Sequence, residues 1–250
     1  MTTMNSELLI TLLIGIGVIA FLYSSVGHAG ASGYIAVMTL CGFAPATIRP
    51  IALLLNILVA TIGSVQFWRT GHFNWKLFWP FALLSIPAAA LGGYVQLPAT
   101  TLRLLLGIVL VLSAARLFFR KADPAEIARP ALASALAVGA AIGLLSGLTG
   151  TGGGIFLTPL LLFTRWARTR EASAASAVFI LVNSISGLIG YFAARHSTPP
   201  WQLTFYLALV AIAFGSLGSY LGSRRFPVRA ISILLASVLL IAGTKLIFTR

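Results

Sequence analysis

Charge is what this sequence has least of. Only 8% of its 250 residues are charged, and only four are acidic: Glu7, Asp123, Glu126 and Glu171. A soluble domain carries about 25% charged residues because its surface must be solvated, so a chain this poor in them is not built to face water. The longest charge-bearing stretch, 116–129, is too short to fold alone. A single cysteine, Cys41, excludes an intramolecular disulfide. Histidines stand only at 28, 72 and 196, too dispersed for a zinc cluster, so no metal or cofactor is expected. Ser24 and Ser25 lie near His28, but no buried carboxylate can orient that ring, which leaves an intramembrane enzyme without its parts.

What is present is apolar. Hydrophobic residues make up 59% of the chain, and the mean hydropathy is +1.00. Apolar runs fall near 7–23, 30–42, 46–68, 75–96 and 101–119, and again near 131–149, 152–164, 171–194, 201–222 and 227–248. A helix needs about 20 apolar residues to cross a bilayer. The last three runs of each set are that long, and the first two are shorter and meet at a glycine-rich break. The run at 7–23 could pass for a signal peptide, with Ala29-Gly30-Ala31 as its cleavage site. It lacks a basic n-region and has an internal counterpart, so it is read as a permanent span. The expected architecture is an all-α polytopic membrane protein of 8–10 membrane segments in two repeats, 1–121 and 131–250, joined by a linker at 122–130.

The two sets match in places. Gly33 corresponds to Gly154, Asn56 to Asn183, Gly63 to Gly190, Leu97-Pro98 to Phe226-Pro227 and Arg116 to Lys245, as in transporters built from internal repeats. The net charge of +13 comes from 17 Lys and Arg scattered between apolar runs. No basic face is available for nucleic acid; basic loops instead report topology. With Arg120, Lys121 and Arg129 placed in the cytoplasm, Arg69, Lys76, Arg116, Arg165, Arg168, Arg170, Arg224, Arg225 and Arg229 fall on the same side. Arg49, Arg103, Arg195, Lys245 and Arg250 fall on the other. That is 12 of 17 on one side, which fits a multi-pass protein of the cell membrane. The short runs of each half, whether re-entrant or spanning, return the chain to its starting side. Each half therefore crosses an odd number of times, the halves are inverted, and both termini are extracytoplasmic.

The densest local signal is Gly147-Leu148-Thr149-Gly150-Thr151-Gly152-Gly153-Gly154, five glycines in eight residues. It is neither a Walker A loop nor a dinucleotide fingerprint. At membrane depth it must interrupt a helix, which is tolerated only inside protein or against a wet cavity. The helix restarting near Gly153 directs free N–H groups and its positive dipole end into the break, which makes an anion cradle. The competing reading is close helix crossing at small residues. The first half carries a weaker copy, Ser24-Ser25-Val26-Gly27-His28-Ala29-Gly30-Ala31-Ser32-Gly33.

Gly150-x-Gly152-Gly153-Gly154 with Pro159 after it, and the degenerate copy ahead of Tyr34, resemble the TauE/SafE sulfite exporters, also called toluene sulfonate uptake permeases. The resemblance covers essentially the whole chain. It implies a secondary transporter of small sulfur-containing anions such as sulfite, sulfoacetate, other organosulfonates and thiosulfate. The first-half copy departs from the fuller motif at Ala31, Ser32 and Met38.

The absence of carboxylates from the middle of any run agrees with an anionic substrate, since cation carriers place acids there. Candidate substrate contacts are the backbone at Gly33, Gly152, Gly153 and Gly154 and the hydroxyls of Ser32, Thr149, Thr151 and Ser176. The amides of Asn56 and Asn183 join them, with Gln66 and Ser184 weaker candidates. His28 either meets the anion as imidazolium and carries a coupled proton, or is a hydrogen-bonded pocket residue. Arg49 either gates anion entry or snorkels to the interface. Trp68, Trp75, Trp79, Trp166 and Trp201 sit at run ends, as interfacial anchors do. The function expected is alternating-access transport with the anion held between the two breaks; an anion channel is the rival. Partners are the lipid bilayer, the anion and a coupling proton.

Overall fold

The computed structural model describes residues 6–25, 28–118, 126–194, 198–222 and 228–248. Arg120, Lys121, Asp123, Arg195, Arg224, Arg225, Arg250 and the Phe226-Pro227 pair lie outside those residues, as do the side chains of Arg116 and Arg229. The described residues form ten α-helices and no strand. They are α1 (Ser6–Ser25), α2 (Ala31–Leu40), α3 (Pro45–Arg69), α4 (Trp75–Tyr94), α5 (Ala99–Phe118), α6 (Leu132–Thr149), α7 (Gly154–Phe163), α8 (Thr169–Ala193), α9 (Trp201–Gly222) and α10 (Val228–Phe248). Six of them, α1, α3, α4, α6, α8 and α9, are long and apolar enough to cross a membrane. Exposed Ile, Leu, Phe and Trp side chains cover their outward faces, as expected where lipid is the solvent.

The helix lengths pair off between the two sets: α2 and α7 have 10 residues each, and α3 and α8 have 25 each. One detail differs from the sequence reading. The first run of each set is not short, since α1 has 20 residues and α6 has 18; only α2 and α7 are short. The helix partners also pair off. α4 packs on α6 as α9 packs on α1, α4 on α8 as α9 on α3, and α3·α8 and α5·α10 complete the core.

Helix directions follow from which residues meet. Cβ atoms added to Gly139, Gly143 and Gly147 of α6 would land on the carbonyls of Phe81, Ser85 and Ala89. Both rows advance four residues at a time, so α4 and α6 run parallel, backbone on backbone, as small-residue stripes allow in membranes. α3 and α8 run antiparallel: Tyr191 reaches Ala46, Leu53 lies by Gly187, Asn56 by Ser184, and Gly63 by Ala177. α5 and α10 are antiparallel as well, with Gly107 against Ile247 and Val111 against Gly243.

Three loops share one end of the bundle. The Ala128 N–H donates to the Arg165 carbonyl at 2.8 Å, and Trp166 packs at a tilt against Phe81, near the start of α4, with centroids 5.9 Å apart. This groups Arg69, Lys76, Arg129, Arg165, Arg168 and Arg170, as the charge count expects. Glu171 accepts the Arg168 N–H in the first turn of α8, away from the centre of the span.

Candidate functional site

In each half the short helix runs back along the helix before it. On α1 and α2, Gly15 faces Val37, Gly33 faces Ile19, and Gly30 faces Tyr23, so α2 folds back along α1. In the second half, Gly147 lies at the level of Gly187 of α8 and Gly152 at Ser184 and Ile180. Gly154 then lies at Ile180 and Ser176, and Thr158 again at Ser176. The chain thus climbs in α6, turns, and descends in α7. Gly150, Gly152 and Gly153 have φ of 79°, 73° and 80°, left-handed backbone that favours glycine.

Gly30 and Gly153 are the N-caps of α2 and α7, with φ of 96° and 80°. The equivalent turn glycines are therefore Gly30 and Gly153, a correction to the pairing of Gly33 with Gly154. Gly33 lies inside α2 against Ile19 and Tyr23, so its role is close packing. In the first break Ser32 pairs with the Tyr23 hydroxyl at 2.7 Å, and the Tyr34 ring packs over Gly30.

The second break is more polar. A Cβ on Gly152 would stand 2.9 Å from both Asn56 Nδ2 and Ser184 Oγ. Asn56 and Ser184, fully buried, meet across the α3–α8 crossing at 3.4 Å. At about 1.5 Å per residue, both sit well inside their helices, on the order of 13–23 Å from either end. Thr149 donates to the Leu145 carbonyl at 2.7 Å and pairs with Thr151 at 2.9 Å. Asn183 donates to the Phe179 carbonyl at 2.8 Å.

The first break reaches the second through His28. Its Nε2 lies 3.5 Å from Thr158 Oγ1, which donates to Ser176 Oγ at 2.7 Å. Ser176, Ile180 and Ser184 form one four-residue row on α8, and that row touches His28's partner, then Gly154 and Gly152, then Asn56. The structure thus brings Gly152 to Asn56 and Gly154 to Ser176, the serine that Thr158 joins to His28, while Thr149 pairs with Thr151 and Asn183 bonds back to its own helix.

Arg49 is not open to solvent; it is 3% exposed. Nε donates to the Gly147 carbonyl at 2.9 Å, Nη1 to Val95 at 3.2 Å, and Nη2 to Gly93 at 2.7 Å and to Gly92. Four of its five donors are used on carbonyls at the C-terminal ends of α4 and α6, where a cation is favoured. Its guanidinium also lies 5.5 Å from the Tyr191 ring centroid. A Cβ on Gly150 would be 3.3 Å from Arg49 Cγ, so the charge stands next to the break without being free to leave.

Sequence reasoning missed Tyr23, Tyr34, Ser146 and Thr158. Thr158 was findable, because it lies four residues after Gly154 on the same helical face; nothing local marks Tyr23. An apolar cleft of about 550 Å³ lies among Leu112, Ile142, Phe156 and Pro159, and its two hydroxyls, Ser113 and Thr164, already donate to the Val109 and Leu160 carbonyls.

Reversed helix pairs with polar breaks buried mid-bundle, enclosed by membrane-length helices, define a multi-pass helical membrane protein with an internal polar site. The chain matches the family Sulfite exporter TauE/SafE over residues 12–246 and belongs to it. It is similar to "Probable membrane transporter protein y4hK" of Sinorhizobium fredii, 44% identical over 247 residues, 96% of this chain and 98% of that one. It is also similar to "Probable membrane transporter protein YjnA" of Bacillus subtilis, 28% identical over 240 residues, 88% and 92% of the two chains. No solved structure matches. The chain is a membrane transporter of this family.

Proposed function

We propose that this chain is a secondary carrier of small sulfur-containing anions, sulfite and organosulfonates such as sulfoacetate, working by alternating access in the cell membrane. The observation that carries the reading is the start of α7. Its N-terminus opens at left-handed Gly153, with Gly152 packed against the Asn56 amide and the Ser184 hydroxyl. Helix N-terminal N–H groups, hydroxyls and amides bind an oxyanion by hydrogen bonds, and the dipole favours its charge. No carboxylate among the described residues opposes it: Glu7 and Glu171 lie in first turns, and Glu126 precedes α6.

The antiparallel α3–α8 and α5–α10 crossings support inverted halves, 1–121 and 131–250, because repeat-equivalent helices run opposite ways. Rocking of one half on the other exposes the anion to each side in turn. The termini are extracytoplasmic, and the basic loops face the cytoplasm. A coupling proton enters through His28, Thr158 and Ser176. Flux in proteoliposomes is the test: saturable sulfite or sulfonate uptake is expected, and no response to any sulfur anion overturns the substrate class.

A further inference from the structure

Two buried amides have oxygens with nothing to accept. Asn183, fully buried, donates Nδ2 to the Phe179 carbonyl one turn back, which fixes its orientation, because the flipped amide would set two oxygens face to face. Its Oδ1 has no hydrogen-bond partner among the described residues, and neither has Asn56 Oδ1 nor the hydroxyl of Ser146. More than about nine in ten buried polar groups are paired in folded proteins, so three such groups around one break call for an explanation.

All three belong to helices that meet at the second break. Asn183 follows Ile180, which abuts Gly152 and Gly154, by three residues, and precedes Gly187, which abuts Gly147, by four. It therefore projects from the α8 face that carries α6 and α7. Ser146 lies in the last turn of α6, and its carbonyl accepts the Gly150 N–H at 2.8 Å. Asn56 lies against Gly152. The start of α7 offers donors, whereas the amide oxygens can only accept. An anion with acceptor oxygens on every side suits the first and is repelled by the second.

We propose that the preferred substrate carries a hydrogen-bond donor of its own, an N–H or O–H that Asn183 Oδ1 accepts while the sulfonyl oxygens face the start of α7. Asn56 Oδ1 and the Ser146 hydroxyl complete the pocket. The proposal rests on the carrier reading above and narrows it. Hydrogen sulfite, hydroxysulfonates and aminosulfonates rank above unprotonated sulfite and sulfoacetate, which offer acceptors alone. A site built around a substrate donor rejects the isostere lacking it, because its own buried groups are then left unpaired.

Matched anions test this on the full chain in proteoliposomes. Sulfamate against methanesulfonate and 2-hydroxyethanesulfonate against 1-propanesulfonate each exchange a donor for a methyl group at nearly constant shape. The donor-bearing member of each pair is expected to have a kcat/KM about 10- to 100-fold higher, and Asn183→Leu is expected to shrink the gap to within about threefold. If Asn183→Leu does not fold, Ser146→Ala and the wild-type ranking carry the comparison. Equal handling within both pairs, or rejection of all four while sulfite is carried, overturns the donor requirement and leaves the carrier reading standing. Sodium-dependent binding without discrimination assigns the oxygens to a cation and overturns it too. If no sulfur anion is carried at all, both readings fall.

Discussion

Replacing Gly152 by alanine adds one methyl group at the point where the α6–α7 turn meets α3 and α8. Two penalties follow, and they can be separated. At φ 73° an L-residue is strained by about 1–2 kcal/mol. The new Cβ would also lie 2.7 Å from Ile180 Cγ2 and 2.9 Å from Asn56 Nδ2 and Ser184 Oγ. Relieving that overlap requires shifts of several tenths of an ångström in two packed helices, and overpacking of this kind costs about 1–3 kcal/mol. The sum is about 2–5 kcal/mol. Gly71 is the control, since its φ is 71° and nothing lies within 4 Å of a Cβ built there. Gly71→Ala should cost only the strain, about 1–2 kcal/mol, and leave transport unchanged. Denaturant-dependent unfolding in micelles, followed by tryptophan fluorescence, measures both, with sulfite flux in parallel. Gly152→Ala should lose the larger amount and most of its transport. Equal losses for the two variants, with wild-type flux in each, would refute the close packing of this turn around Asn56.

Other substitutions probe separate parts of the account. Gly190→Ala places a methyl group on the Ala90 carbonyl, whereas Gly63→Ala meets only the Ala177 Cβ at 3.9 Å. Thermal scans should show the first strongly destabilised and the second neutral or stabilised by up to about 1 kcal/mol from helix propensity. Arg49→Met strips four carbonyls of their donor and should cost about 2–4 kcal/mol. Arg49→Lys should recover only part of this, because an ammonium has three donors and no planar fork. Proton coupling predicts that His28→Gln or Thr158→Val keeps substrate binding but removes the response of uptake to an imposed pH gradient.

Much of the architecture was legible because lipid imposes it. Long apolar runs and the glycine break at 150–154 follow from the cost of unpaired backbone in hydrocarbon, and the basic loops from the bias of Lys and Arg to one side of the bilayer. Helix length at the breaks was harder to read, because α1 continues through the polar Tyr23 and Ser24 before it turns. The register of the weaker repeat was misread for a related reason: Gly33 and Gly30 look alike in sequence, and only backbone geometry separates a packing glycine from a cap. Arg49 could not be read at all. Its partners are carbonyls 43 to 98 residues away, and a carbonyl leaves no mark on the sequence. The Asn56–Ser184 crossing was half visible: both residues stood out as polar groups within spans, but their meeting depends on the antiparallel packing of α3 and α8.

The central claim is a carrier that presents one anion site to each side in turn. Counterflow tests it most directly: proteoliposomes preloaded with unlabelled sulfite are diluted into trace ³⁵S-sulfite. The account predicts transient accumulation of label above equilibrium, stimulated by the internal anion and lost in Gly152→Ala. Linear, non-saturating flux indifferent to the anion inside would contradict it.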